Sequence, residues 1–201
     1  MLSEGTPPRP RRHPGTRRPL GVRALAGVVA ELHDALGLGQ VHLVGNDTGG
    51  AVAQVFAARH PDRLRTLTLT NCDTDGNFPP PEFIPIIEIA KRGELAASLV
   101  WRDYLQPVGG TLDRARDIER LLASLDPKDL TDVQDALRAL DVPTLIVWGT
   151  GDATFGVTWA YLLRGTIAGA RDVIEVDGAK IFFPDERPGD LVPHLRGLWG
   201  R

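Results

Sequence analysis

Cysteine, methionine and tyrosine are nearly missing from this chain. The single cysteine, Cys72, stands alone among 201 residues, so no intrachain disulfide can form, which fits a reducing compartment. No apolar run approaches the roughly 20 residues that a membrane-spanning helix needs. The N-terminal arginines are followed by no apolar stretch, so this end does not read as a secretory signal. A soluble cytoplasmic protein is the expectation. No cluster of cysteine and histidine suggests a metal, and no phosphate loop suggests a nucleotide or flavin, so no cofactor is expected. The net charge of −3 is too small to direct the chain to nucleic acid or an acidic membrane.

That charge is unevenly placed. Residues 1–20 hold five arginines, five prolines and one glutamate. They carry +4, which leaves −7 for the rest of the chain. With almost nothing to bury, this segment is expected to be a disordered tail. No aromatic is interleaved with the arginines, so a nucleic-acid-binding arm is the weaker reading.

From Val22 onward the pattern is that of a folded domain. Val22, Leu25, Val28, Val29, Leu32 and Leu36 repeat at helical spacing, ended by Gly37 and Gly39. Val41–Val44 is short and β-branched, as in a buried strand. Residues 51–59 are helix-forming and stop at His60-Pro61. A second strand is expected at 64–70, a third at 143–148 and a fourth at 172–176. Helices are expected at 158–167 and 190–199, with a largely helical stretch over 82–140. Strands alternating with helices imply a parallel sheet joined by right-handed crossovers. The fold class is therefore α/β.

Between the first strand and its helix lies Gly45-Asn46-Asp47-Thr48-Gly49-Gly50. A side chain displayed on so tight a turn needs small neighbours. Such a turn lifts Asp47 above the strand ends and aims the Thr48 amide and the helix dipole at whatever binds there. A plainer role for Asp47 is helix N-cap, although a cap alone does not call for glycines at this spacing.

The stretch VHLVGNDTGGAVAQVFAARHPDRLRTLTLTN, residues 41–71, resembles the nucleophile elbow, following helix and next strand of α/β-hydrolases. With aspartate at the elbow it is similar to the branch holding haloalkane dehalogenases, fluoroacetate dehalogenase and epoxide hydrolases. In element order the resemblance spans residues 22–199. It implies a mostly parallel sheet with flanking helices, a core of residues 21–77 and 142–201, and a helical cap at 78–141. It also implies that the Asp47 carboxylate attacks carbon and forms an ester, which water then hydrolyses.

The resemblance assigns further roles. Asp152, in Gly149-Thr150-Gly151-Asp152, matches the acid that orients the family's histidine; the alternative is an ordinary turn aspartate. Asp73 and Asp75 are reserves, since some dehalogenases carry this acid after the preceding strand. Thr48 supplies the oxyanion amide. Asn46, Phe78, Trp101 and Tyr104 are candidate pocket residues for a small-molecule substrate, with Phe83, Ile87 and Leu105 near them. For most of these aromatic and aliphatic groups, plain packing of the cap onto the sheet is the alternative.

Two features of the family are not found. The histidine position falls on Lys180 or Ile181, depending on alignment. His13, His33, His42, His60 and His194 all lie elsewhere in the pattern. No His-Gly pair is present to give the second oxyanion donor, and only 46 residues precede Asp47, so the early strands are expected to be missing and the chain to be shortened at its N-terminus. The open edge left on the first strand invites self-association. The function implied is hydrolysis of a small apolar halide, epoxide or ester. The alternative is an inert binding protein or partial gene product on the same scaffold.

Overall fold

Four short apolar runs become the strands of one sheet in the computed structural model, which describes residues 20–97 and 112–200. They are β1 (Val41–Asp47), β2 (Leu64–Cys72), β3 (Thr144–Gly149) and β4 (Ala170–Val176). They lie in the order β1-β2-β3-β4, and every pair is parallel. Parallel neighbours cannot be joined by a tight turn, so helices make the connections. Helix α1 (Val22–Ala35) leads into β1, and α2 (Thr48–Arg59) joins β1 to β2. Between β2 and β3 come α3 (Ile84–Lys91), α4 (Leu112–Ala123), α5 (Lys128–Thr131) and α6 (Gln134–Arg138). Helix α7 (Val157–Thr166) joins β3 to β4, and α8 (Phe183–Glu186) and α9 (Val192–Trp199) follow. The tail expected at 1–20 lies, but for Leu20, outside the described residues.

The strands run past their expected carboxyl ends. β1 continues through Gly45 and Asn46 to Asp47, and β2 through Asn71 to Cys72. Strand propensity stops at Gly45, but parallel pairing uses main-chain groups and carries the ladder on, with Gly45 opposite Leu69 and Asn46 opposite Thr70. The polar residues at these strand ends are thereby held in sheet register rather than in loops.

Both faces of the sheet are covered. One face and helices α1, α2 and α7 enclose the main core, which includes Phe56, Leu67, Leu69, Ile146 and Trp148. A smaller core, with Val147, Val176, Phe183, Leu191 and Leu195, involves α8 and α9. β2 is buried on both faces. Leu67 and Leu69 join the main core, while Thr66, Thr68 and Thr70 are buried opposite them.

Helix α1 departs from its expected apolar face. Val22, Ala26 and His33 are the buried residues, whereas Val28, Leu32 and Leu36 are 44%, 56% and 61% exposed. The apolar residues of α1 wrap around more than one face, and only one of those faces meets α2. β1 has a strand partner on one side only among the described residues.

The segment between β2 and β3 packs in two parts. Ala90, Leu95 and Ala115 form a cluster of their own with residues of α3 and α4. Leu130, Val133, Leu137 and Leu140 instead belong to the main core. Among the described residues no helix is long and apolar enough to cross a membrane.

Helix α2 crosses the sheet at close range because Gly50 has no side chain. A Cβ at Gly50 would lie 2.2 Å from the Cys72 Cβ, whereas one at Gly49 would meet nothing within 4 Å. Gly50→Ala is expected to destabilise the fold by about 1–3 kcal/mol through overpacking. Gly49→Ala is expected to leave stability unchanged or raise it by up to about 1 kcal/mol through helix propensity. Urea unfolding of the two variants checks the contrast.

Candidate active site

The sharpest turn in the backbone falls at Asp47. Its φ of 54° and ψ of −138° make it the one non-glycine residue with positive φ among the described residues. Such a conformation costs on the order of 1–3 kcal/mol, so surrounding packing must hold it. Gly45 and Gly50 allow that packing. A Cβ on Gly45 would lie 2.8 Å from Gly50 Cα and from the Ala53 methyl, so the first turn of α2 sits directly on the end of β1. Gly49, expected to be needed for the same reason, faces open space.

Asp47 occupies the N-cap position of α2, yet its side chain makes no capping hydrogen bond. The plain capping role is therefore not the one it plays. Burial raises the proton affinity of its carboxylate, the Thr48 backbone N–H opposes that rise, and Asp152 adds to it.

Polar side chains knit the strand ends around this turn. Asn46, expected as a pocket residue, has its amide nitrogen committed to groups of β2 and of residue 181. It donates to Thr70 Oγ1 at 2.9 Å and to the Ile181 carbonyl at 2.8 Å, with longer contacts to the carbonyls of Thr70 and Asn71. Asn71, which sequence reasoning missed, substitutes for a peptide group between β2 and β3. It accepts from the Gly149 N–H at 2.7 Å and donates to the Gly149 carbonyl at 3.0 Å. Its only sequence signal is a polar residue ending a strand whose sheet partners need one more rung.

Asp152 reaches the vicinity of Asp47, but one of its oxygens organises its own loop. Oδ1 accepts from the N–H groups of Thr154 and Phe155 at 2.9 and 2.7 Å. The turn role and proximity to Asp47 thus coexist. Of the two reserves, Asp75 is turned away and accepts from the Thr131 hydroxyl at 2.8 Å. Asp73 is brought to the site. It directly follows β2, its N–H lies 3.4 Å from the Asp47 carbonyl, and it is 1% exposed.

The segment that corresponds to the histidine loop reaches the site through its backbone. The Ile181 carbonyl holds Asn46, and Gly149 and Gly151 let residues 178–179 pass in backbone contact with the end of β3. Lys180 is exposed and forms no ion pair among the described residues. His42 and His194 line a cleft of about 580 Å³ that also includes Arg65, Thr144 and Arg171. These residues belong to the starts of the strands and to α9, away from Asp47. His42 lies against Trp199 with ring centres 5.2 Å apart, and its Nδ1 is 2.8 Å from Thr66 Oγ1. Phe78 is buried in the main core. Trp101, Tyr104 and Leu105 lie outside the described residues. Phe83 is 45% exposed, and Ile87 is buried. Among the described residues no group of three or more His, Cys, Asp and Glu is placed to hold a metal ion.

Asp73 is strongly perturbed at this end of the sheet. Burial pushes its carboxyl up to about 7, the Thr48 hydroxyl opposes this by hydrogen bonding, and the Asp47 charge adds to it. Cys72 beside it is a free, buried thiol whose pKa is pushed well up by burial, then by Asp73 and Asp47.

The chain is similar in sequence and structure to known proteins. The family model for the alpha/beta hydrolase fold matches residues 5–126. A 2-hydroxy-6-oxononadienedioate/2-hydroxy-6-oxononatrienedioate hydrolase of Burkholderia vietnamiensis is 30% identical over 161 residues, 69% of this chain and 54% of that protein. Monoacylglycerol lipase abhd6-B of Xenopus laevis is 27% identical over 88% of this chain and 61% of its own length. The chain thus spans little more than half the length of these relatives. Haloalkane dehalogenase DbeA from Bradyrhizobium elkani superposes with a TM-score of 0.74 over 90% of this chain and 75% of its own, at 17% identity. The enol-lactonase from Burkholderia xenovorans gives 0.67 over 92% and 75%, at 23% identity. These two structures share the fold.

The raised Asp73 carboxyl makes stability depend on pH. Its folded value of about 7 exceeds the ordinary 3.8, so the folded chain binds more protons than the unfolded one between these values. Its contribution is therefore most favourable at low pH, declines as pH rises from about 4 to 7, and is level above that window. Asp73→Asn removes this dependence. The stability of the variant relative to the parent is expected to rise by on the order of 2–4 kcal/mol between pH 4 and pH 8, measured by urea unfolding at each pH.

Proposed function

Because the chain belongs to the α/β-hydrolase family, we propose that it is a hydrolase of small apolar halides, epoxides or esters that works through an ester on Asp47. The observation that carries this reading is the strained backbone of Asp47 at the β1–α2 junction. That strain is held by close glycine packing, and the side chain makes no capping bond that would explain it.

In the first step the Asp47 carboxylate attacks carbon, the carbon–halogen or epoxide carbon–oxygen bond breaks, and an aspartyl ester forms. In the second, water adds to the ester carbonyl and the alcohol departs. The negative charge that develops on the Asp47 carbonyl oxygen faces the Thr48 N–H and the start of the twelve-residue helix α2. We assign the cap role to residues 78–141, of which α3 and α4 form a separately packed part. The open side of β1 supports self-association, which sedimentation velocity tests as a concentration-dependent shift to a larger species.

A second reading is favoured by one observation. The segment expected to bear histidine presents the Ile181 carbonyl to Asn46, as would suit a binding protein without turnover. Mass spectrometry separates the two. After incubation with reactive haloalkanes and epoxides, an adduct is expected on the peptide bearing Asp47 and is expected to be lost in Asp47→Asn. No adduct across the panel, with ligand binding unchanged in Asp47→Asn, selects the binding protein.

A further inference from the structure

The second step of an aspartyl-ester reaction needs a group to take a proton from water, and no histidine stands at this end of the sheet among the described residues. Asp73 has the placement for it. It follows β2 directly, and its main chain is tied on both sides. Its N–H faces the Asp47 carbonyl, and its carbonyl accepts from Gln54 Nε2 at 2.8 Å. Its Oδ1 is buried without a hydrogen-bond partner, as are Gln54 Oε1 and Thr74 Oγ1 of neighbouring residues. A buried carboxylate oxygen left unpaired is costly, and a proton on it removes most of that cost.

The Thr48 hydroxyl lowers the proton affinity of Asp73 and its amide lowers that of Asp47, each against the effect of burial. The other titratable groups acting here are Cys72 on the same strand, which feels both carboxylates, and Asp152 from the loop after β3, which acts on Asp47. Burial does most to keep Asp73 protonated, and the Asp47 charge adds to it.

Resting on the hydrolase reading above, we propose that Asp73 is the proton-holding partner of Asp47. It is neutral while Asp47 is ionised, and it ionises when Asp47 becomes an uncharged ester. A carboxylate then appears beside the ester in the step that needs a base. The proton released in the first step passes to the opened epoxide oxygen, or to solvent when a halide leaves. In the second step the water oxygen bonds to the ester carbon and its proton goes to Asp73. The bond between the ester carbon and the alkoxy oxygen breaks, the departing alkoxide takes the proton held by Asp73, and the remaining acid proton is left between Asp47 and Asp73.

The test needs no turnover. Asp47→Asn is a neutral stand-in for the ester, and carboxyl ¹³C NMR of aspartate-labelled protein follows each acid, with Asp73 assigned by loss of its signal in Asp73→Asn. In the parent, the Asp73 signal is expected to titrate near pH 7, with a matching inflection at Asp47. In Asp47→Asn the proton affinity of Asp73 is expected to fall threefold or more. Thr48→Val is expected to raise it, and Thr48→Ser to restore it. An Asp73 midpoint in the ordinary carboxylate range, or one unmoved by Asp47→Asn, overturns the proposal. If the titrations behave as expected and no adduct forms on Asp47, the shared proton stands and the hydrolase reading falls.

Discussion

Everything at the carboxyl end of this sheet follows from how closely α2 approaches β1 and β2. The helix begins one residue after the strand ends, and it fits there only because Gly45 and Gly50 leave room for each other and for Cys72. That contact forces Asp47 into positive φ. It also sets Thr48 between two aspartates and buries Asp73 beneath the first turn of the helix. The cost of the turn and the perturbed acidity beside it are two results of one packing constraint. Loosening the contact would relax both.

A second layer of constraint runs across the strands. Asn46 and Asn71 use side-chain amides where the ladder would otherwise lack rungs, one tying β1 to β2 and to residue 181, the other tying β2 to β3. Amides suit this position because each offers both a donor and an acceptor at fixed spacing, as a peptide group does. The ends of three strands are thereby fixed relative to one another without a charge, which leaves the aspartates as the source of the local field.

Much of this was legible in the residues themselves. The alternation of apolar runs with helix-forming stretches gave the element order, and the glycines around Asp47 gave the turn. The carboxyl ends of β1 and β2 were not legible, because Gly45 and Asn71 have poor strand propensity and are held by pairing with distant residues. Helix α1 misled for a related reason. Its apolar residues include Leu32 and Leu36, which periodicity assigns to a buried side and which the structure leaves exposed. Asp73 counted only as a reserve, since its burial and its link to Thr48 arise from tertiary approach and leave no local mark. Asp152 was open between two roles because a single aspartate can both shape a turn and stand near another acid.

The exposed apolar residues of α1 have a consequence for the history of the chain in solution. Val28, Leu32 and Leu36 are displayed by the same short region that leads into β1, a strand whose second edge has no partner among the described residues. While the sheet is assembling, that region offers both greasy surface and unpaired main-chain groups to any neighbouring molecule. Loss to aggregates is a second-order process and folding a first-order one. Higher concentration during synthesis or refolding therefore favours the aggregate over the folded chain.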